Sequence, residues 1–224
     1  MSADLLLDKL TLLLTAGPVF LFSLVFHEYC HALAAYRLGD KTAAWTGRLT
    51  LNPSVHMDPM GTVAMPLMGL FVTPPGAMFP FIFGWARPVP FNPRNLRDAP
   101  RDSMLIALAG PVGNLALLVV FALLCRGLFT LGVRSEVGVL GLVFDMAVTG
   151  IYLNALLAAF NMIPLPPLDG SKVLAYFLPG DMARNLLSFN PTLSFLIILF
   201  LVFQGLLAMP MGILIKLGSV LAGV

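Results

Sequence analysis

The sequence predicts an all-α polytopic membrane protein. We expect a helical bundle of about four to six transmembrane segments, with a re-entrant or β-hairpin segment after the first helix. Hydrophobic residues make up 58% of the 224 residues and charged residues only 11%, whereas soluble domains carry about 25% charged residues. The mean hydropathy is +0.92, and the apolar residues form long continuous segments. We expect residues 1–224 to form a single domain.

Charge and cysteine content exclude several functional classes. The net charge of +2 is too small to indicate nucleic-acid binding. Cys30 and Cys125 both lie in apolar segments, so they predict neither a disulfide framework nor a Cys-x-x-Cys metal site. The N-terminus lacks the basic region and cleavage site of a secretory signal, so we expect the first helix to be retained.

The first hydrophobic segment covers residues 10–38, which exceeds the roughly 20 residues that a membrane-spanning helix needs. Gly39 and Asp40 end it in a loop. Apolar and polar residues then alternate over residues 45–51, a pattern that predicts a β-strand. Asn52-Pro53 closes this predicted strand.

Residues 57–80 are apolar enough for a second span, but they are rich in helix-breaking residues. Freed backbone groups need partners inside a membrane, so a straight lipid-facing helix is disfavoured and a re-entrant hairpin is expected. The breakers are Pro59, Gly61, Pro66, Gly69, Pro74, Pro75, Gly76 and Pro80.

The second half of the chain contains clearer spans. A polar, proline-rich connector over residues 84–101 precedes a predicted span at 104–124. Another span is predicted at 137–160, and the last lies within 193–220. Residues 172–187 are mixed in character, so we expect them to lie at the membrane interface.

The motif His27-Glu28-Tyr29-Cys30-His31 is the main chemical signal. On a helix, residues four apart project from one face, so His27 and His31 can bind one metal ion while Glu28 stays free to act as a base. A charged side chain at the centre of a membrane helix costs about 2.5 to 3.5 kcal/mol, so such residues indicate function. This is the geometry of a zinc peptidase.

A third protein ligand is expected, because catalytic zinc sites commonly use three ligands and a water. His56 is the remaining histidine, but Asp169 is the better candidate. It follows a hydrophobic span, and prolines just before it restrict its position. Taken alone, Asp169-Gly170 would indicate an ordinary turn.

Two stretches carry a family resemblance, the motif at residues 27–31 and the sequence Asn161-x-x-Pro164-x-Pro166-x-x-Asp169-Gly170. Together with Gly110-Pro111-x-x-Asn114, they resemble the site-2 protease family of intramembrane zinc metalloproteases. The resemblance covers most of the chain. It implies a minimal form, without the PDZ or regulatory domain that many members carry.

The resemblance also implies roles for individual residues. His27, His31 and Asp169 would bind one zinc ion per chain, and Glu28 would be the catalytic base. Asn161 would hold the substrate backbone or the oxyanion. The implied substrates are membrane-bound regulatory proteins, cleaved within or next to their transmembrane segments, and a separate regulatory or substrate-delivery protein is possible.

Other interpretations remain open. Asn114 is either an active-site contact or an interhelical hydrogen-bonding residue. His56 is either a gate or substrate contact or, as we prefer, a turn histidine bonded to backbone. A zinc-dependent membrane enzyme acting on a lipidated peptide or lipid, or an inactive membrane scaffold, are the alternative functions. We also expect the strand predicted at 45–51 to pair with unwound substrate.

Orientation follows from the two motifs and the charges. His27 and Asp169 lie toward or past the C-terminal ends of their segments, so those segments must run in the same direction to bring them together. Basic residues lie on both sides of residues 57–80, and both flanks therefore read as cytoplasmic. We expect a multi-pass protein of the cell inner membrane with an external N-terminus and the active site toward the cytoplasm.

Overall fold

The computed structural model describes residues 3–72, 84–135 and 138–223. These residues form ten α-helices and no β-strand. A π-helical turn, Pro59–Ala64, precedes α4, and a 3-10 turn, Pro93–Asn95, precedes α5. The helices are α1 Ala3–Arg37, α2 Thr42–Trp45, α3 Pro53–His56, α4 Met65–Val72, α5 Ala99–Thr130, α6 Val139–Asn161, α7 Asp169–Phe177, α8 Gly180–Leu187, α9 Pro191–Phe203 and α10 Ala208–Ala222.

Three of these helices are long and apolar enough to cross a membrane, namely α1 from Leu6 to Arg37, α5 and α6. A fourth span is present if α8 and α9, which meet at an angle of 85°, count as one. The prediction of an all-helical, multi-pass membrane protein is therefore confirmed. The apolar helix α10 is shorter, and a turn at residues 204–207 separates it from α9. The last predicted span is thus divided into two helices.

Local sequence explains where two of the helices, α5 and α9, begin. The side chain of Asp98 accepts a hydrogen bond from the backbone N–H of Arg101 and so caps the start of α5. Pro100 lies in the first turn of α5, where its missing N–H leaves no helical hydrogen bond unmade. Asn190 caps α9 in the same way, by accepting from Thr192 and Leu193.

Helices α1 and α6 run parallel to each other. The hydroxyl of Ser23 in α1 accepts a hydrogen bond from Asn154 of α6. One turn further along α1, His27 contacts Asp169, which lies beyond the C-terminal end of α6. The order of contacts is therefore the same along both helices, as the positions of the two motifs predict.

Helix α5 is antiparallel to both. Its earlier residue Ile106 accepts a hydrogen bond from His31, whereas its later residue Asn114 donates to the carbonyl of Ser23. The later residue of α5 therefore contacts the earlier residue of α1, as in a pair of antiparallel helices. Among the described residues, α5 is the long apolar helix between α1 and α6 in sequence, and its contacts hold the two motifs at the same level.

Small and aliphatic residues fill the space between α5, α6 and α10. Small residues allow close approach of membrane helices, which lack a hydrophobic driving force between them. The buried residues of this cluster are Leu118, Ala122, Cys125, Phe144, Ala147, Ile151, Ala155 and Ala222. Helix α10 thereby packs against α5 and α6, the two helices that also contact α1.

The strand predicted at residues 45–51 is wrong. Asp40 accepts a hydrogen bond from the backbone N–H of Thr42 at the start of the short helix α2. This helix ends in a turn where Gly47 has a φ of 71°, a conformation that glycine adopts at no steric cost. The guanidinium of Arg48 then donates to the carbonyl of Val55. The backbone N–H groups of Thr46, Gly47 and Arg48 donate to carbonyl groups of α2, so they are not available for pairing with another strand.

The first part of the predicted re-entrant segment is helical. The π-helical turn begins after Asp58, whose carboxylate accepts from the N–H groups of Met60 and Gly61. Helix α4 follows directly. The rest of the predicted segment, residues 73–80, lies outside the described residues, so the reversal of the hairpin stays a prediction.

Candidate metal centre

Three side chains converge at the centre of the helical unit. The Nε2 atoms of His27 and His31 lie 3.0 Å apart. Oδ2 of Asp169 lies 3.3 Å from the first and 3.1 Å from the second. All three residues are buried. One ligand atom from each lies within 4.8 Å of the others, so the three could bind a single metal ion.

The fold brings these residues together from two distant parts of the sequence. His27 and His31 lie one turn apart on α1, and Asp169 is the first residue of α7. Gly170 permits α7 to pack closely against the end of α6, since a Cβ at this position would lie 2.3 Å from the carbonyl oxygen of Met162. Asp169 thus supplies the carboxylate, and the absence of a side chain at Gly170 allows α7 to begin close to the end of α6.

A buried amide network orients His27. Its Nδ1 lies 2.6 Å from Oδ1 of Asn114. The amide nitrogen of Asn114 donates to Oδ1 of Asn154, at 3.0 Å, and to the carbonyl of Ser23, at 3.4 Å. Asn154 in turn donates to the Ser23 hydroxyl and to the Gly150 carbonyl, both at 2.9 Å. Both amide nitrogens face acceptors, so Oδ1 of Asn114 must accept, and Nδ1 of His27 must carry a proton.

His31 is oriented in the same sense. Its Nδ1 donates to the backbone carbonyl of Ile106, at 2.7 Å. With both Nδ1 protons used in this way, the neutral imidazoles present unprotonated Nε2 atoms toward Asp169. Three acceptors placed this close together are suited to binding a cation between them. Two imidazole nitrogens and one carboxylate are a donor set of catalytic zinc, so the residues fit that metal.

Space for the cluster is provided by a glycine of the facing helix. Gly110 of α5 packs against both rings, and a Cβ there would lie 2.4 Å from Nε2 of His31 and 2.6 Å from Nε2 of His27. Cβ atoms in real proteins essentially never lie within 3.0 Å of such an atom. A residue larger than glycine at position 110 would therefore clash with the two imidazoles unless the rings moved.

The other carboxylate oxygen of Asp169 faces a cation of the protein. Nζ of Lys172 lies 3.4 Å from Oδ1. Oδ2 faces the two imidazoles and Oδ1 faces this ammonium group, so both oxygens of the Asp169 carboxylate have a partner.

Glu28 is half-buried and lies next to His27 on α1, outside the cluster of three. Its Oε2 accepts a hydrogen bond from the backbone N–H of Val89, at 3.0 Å. The connector over residues 84–101 therefore contacts the motif directly. Glu28 is thus not one of the three clustered residues, and its role as a base stays a prediction.

The remaining predicted site residues have different environments. Asn114 makes the interhelical hydrogen bonds described above and also contacts a cluster residue. Asn161 donates from Nδ2 to the carbonyl of Leu157 in its own helix. His56 is buried and donates from Nε2 to the carbonyl of Thr50. The structure does not bring Asn161 or His56 into the three-residue cluster found among the described residues.

Several contributors to the site carry no motif in the sequence. Asn154 and Ser23 complete the amide network, Ile106 contributes only a backbone carbonyl, and Lys172 pairs with Asp169. Polar residues within apolar spans are costly unless they have partners. Asn154 and Ser23 could have been identified by that signal, whereas Ile106 could not.

The chain is similar in sequence to known proteins. It is 35% identical to YwhC of Bacillus subtilis over 164 residues, which cover 73% of this chain and 69% of YwhC. It is 33% identical to Rip2 of Mycobacterium tuberculosis over 187 residues, which cover 81% of this chain and 64% of Rip2. MJ0611 of Methanocaldococcus jannaschii is 30% identical over 156 residues, 68% of this chain and 64% of that protein. Each of the three is named as a candidate zinc metalloprotease. No protein-family model and no solved structure matched the chain.

Proposed function

Because the chain belongs to the site-2 protease family of zinc metalloproteases, we propose that it cleaves peptide bonds within or next to transmembrane segments of membrane-bound regulatory proteins. The observation that carries this proposal is the buried cluster of His27, His31 and Asp169. A scaffold would not need three metal-binding groups buried together between membrane helices, where polar groups are costly.

The first part of the proposal concerns the metal. His27, His31 and Asp169 would hold one zinc ion per chain through Nε2, Nε2 and Oδ2. Bound zinc lowers the pKa of a coordinated water to about 7 and polarises a carbonyl group. Asn114 and the Ile106 carbonyl hold the two rings, and Gly110 leaves room beside them.

Glu28 is the proposed general base. It follows His27 in sequence but is not one of the three clustered ligands, so its carboxylate would be available to accept a proton. It would take the proton of the attacking water and deliver it to the leaving amine nitrogen. A positioned acid-base group typically contributes about 10²- to 10⁴-fold to the rate.

The substrate must expose its backbone before it can be cleaved. A transmembrane helix hides its peptide bonds behind its own hydrogen bonds, so the segment has to unwind locally. We propose that Asn161, at the C-terminal end of α6, holds the unwound backbone or the oxyanion. Its amide now bonds Leu157, and a substrate would replace that bond. His56 stays a lower-ranked substrate contact.

We further propose that the protein lies in the cell inner membrane with its active site toward the cytoplasm. Four arginines of the connector are exposed to solvent, in agreement with a cytoplasmic position. They are Arg87, Arg94, Arg97 and Arg101. Residues 1–224 would act as one catalytic domain in the lipid bilayer, and a separate protein could deliver or regulate the substrate.

The experiment is cleavage of a transmembrane reporter by purified protein in proteoliposomes. The wild type is expected to cleave it, and Glu28→Gln is expected to bind zinc and lose nearly all turnover. Equal cleavage by both proteins would refute the role of Glu28. Zinc binding combined with hydrolysis of a lipid or lipidated peptide, and not of the reporter, would instead support the alternative membrane enzyme.

A further inference from the structure

The connector that contacts Glu28 contains the sequence Arg87-Pro88-Val89-Pro90. Prolines have no backbone N–H, so Val89 supplies the single backbone donor between positions 88 and 90. A residue that precedes proline is restricted to extended conformations. Both Arg87 and Val89 precede a proline. The sequence therefore predicts a stiff, extended segment with one isolated N–H group.

The structure shows where this extended segment is attached. The N–H of Trp85 donates to the Gly61 carbonyl, at 3.1 Å, and the N–H of Arg87 donates to the His56 carbonyl, at 2.8 Å. Two residues later, the N–H of Val89 donates to Glu28. Alternate residues thus donate on one side, as the geometry of an extended chain requires.

Beyond Val89 the connector is attached to Asp40. Oδ2 of Asp40 accepts from the backbone N–H of Asn92, and Oδ1 accepts from Nδ2 of Asn95, both at 2.7 Å. Asp40 is fully buried. The connector is therefore held on both sides of Val89, and the position of its N–H group is fixed by the fold and not by Glu28 alone.

We propose that the backbone N–H of Val89 is a positioning group for the catalytic base. This inference rests on the proposed function, since it assigns Glu28 as that base. A glutamate side chain has several rotatable bonds, and a charge-assisted hydrogen bond to a fixed donor restricts them. With Oε2 held by Val89, Oε1 is the oxygen that accepts the proton of the attacking water. Val89 acts through Glu28 and does not contact the reacting atoms.

Amide hydrogen exchange tests the contact itself, without any cleavage assay. The protein is purified as the full chain, with valine labelled by ¹⁵N, and compared with Glu28→Ala. Loss of the carboxylate should reduce the exchange protection of the Val89 amide by about tenfold or more, while the other valine amides keep theirs. Unchanged protection of Val89 would overturn the proposal.

Kinetics test the consequence for catalysis. Val89→Pro removes the N–H and suits an extended position between two prolines, whereas Val89→Ala removes most of the side chain and keeps the N–H. We expect kcat of Val89→Pro to be about 10- to 100-fold below that of Val89→Ala, with KM values within about twofold and equal zinc content. Equal kcat values in the two folded variants would overturn the proposal.

The two proposals can fail separately. If the wild type cleaves the reporter and Glu28→Gln does not, the proposed function stands whatever Val89→Pro does. If Val89→Pro does not fold, the exchange measurement decides. If no protein cleaves the reporter, the proposed function fails, and so does the positioning role, even where exchange shows the hydrogen bond.

Discussion

The Nδ1–H group of His27 in α1 donates a hydrogen bond to Oδ1 of Asn114 in α5, and the two atoms are 2.6 Å apart. Asn114 has no exposed surface, and its amide nitrogen is bonded to Asn154 and Ser23. The bond therefore fixes both the orientation of the ring and the nitrogen that carries its proton. Outer partners of this kind make a ligand nitrogen available to a metal.

This contact predicts a difference between two variants of Asn114. Asn114→Leu removes the acceptor and should weaken zinc binding by about 10- to 100-fold. Asn114→Asp keeps an oxygen facing Nδ1 and should retain more of the affinity. Competition with a chromophoric chelator measures both. Equal zinc affinities for Asn114→Leu and the wild type would show that the ring is held by other contacts.

Gly110 predicts a steric effect with a control in the same helix. Gly110→Ala would place a Cβ 2.4 to 2.6 Å from atoms of both imidazole rings, so zinc stoichiometry should fall and cleavage should be lost. Gly127, also in α5, has no atom within 4 Å of such a Cβ. Gly127→Ala should keep zinc and gain up to about 1 kcal/mol of stability from helix propensity. A Gly110→Ala protein with full zinc content would contradict the packing.

Asp40 predicts a pH dependence of stability. Burial raises the pKa of its carboxyl, but hydrogen bonds from Thr42, Asn95 and Asn92 outweigh it, so the pKa of Asp40 lies below its ordinary value. A lowered pKa contributes stability that is present above about pH 4 and is lost as the pH falls through the folded-state value. Asp40→Asn should therefore lower the free energy of unfolding by about 1 to 3 kcal/mol at pH 7, and the difference should shrink below about pH 4.

Thermal unfolding in detergent at several pH values measures this difference. Asp181→Asn serves as the control, because Asp181 is an exposed residue paired with Arg184. It should change stability by less than about 0.5 kcal/mol. A stability difference between Asp40→Asn and the wild type that stays constant down to pH 3 would contradict the assignment.

The sequence predicted the helical membrane class and the side chains of the cluster. Metal-binding groups in apolar helices are rare enough that His27 and His31 stand out without a structure, whereas Asp169 was identified because it follows a hydrophobic span and three prolines. The positions of His27 and Asp169 toward or past the C-terminal ends of their segments also implied that α1 and α6 run in the same direction. The contacts of Ser23 and His27 agree with this.

The prediction from sequence was wrong where local hydrogen bonds compete with the strand that an alternating pattern of apolar and polar residues predicts. The alternation at residues 45–51 predicted a strand, but Asp40 and Gly47 form a short helix and a turn there. A period of two cannot reveal which side chains bond to nearby backbone groups. The contact between Val89 and Glu28 could not be predicted either, because residue identity does not show which group a backbone N–H will bind.

The orientation proposal predicts the location of the connector. A reporter enzyme fused near Pro90 should be active only in the cytoplasm, because exposed arginines surround this position. The same fusion made with Arg87, Arg94, Arg97 and Arg101 changed to glutamine tests whether charge sets the orientation. An external reporter in the wild-type fusion would reverse the proposed topology and place the active site on the other side.

The most direct test of the account is the zinc content of the purified protein. Wild type and Asp169→Ala are prepared in the same detergent, dialysed against a mild chelator and analysed by metal emission spectroscopy. The account predicts about one zinc ion per chain in the wild type, from the three ligands and their fixed tautomers, and much less in Asp169→Ala. A wild type without zinc, or an Asp169→Ala protein with as much zinc as the wild type, would contradict the assignment of this cluster as the metal centre.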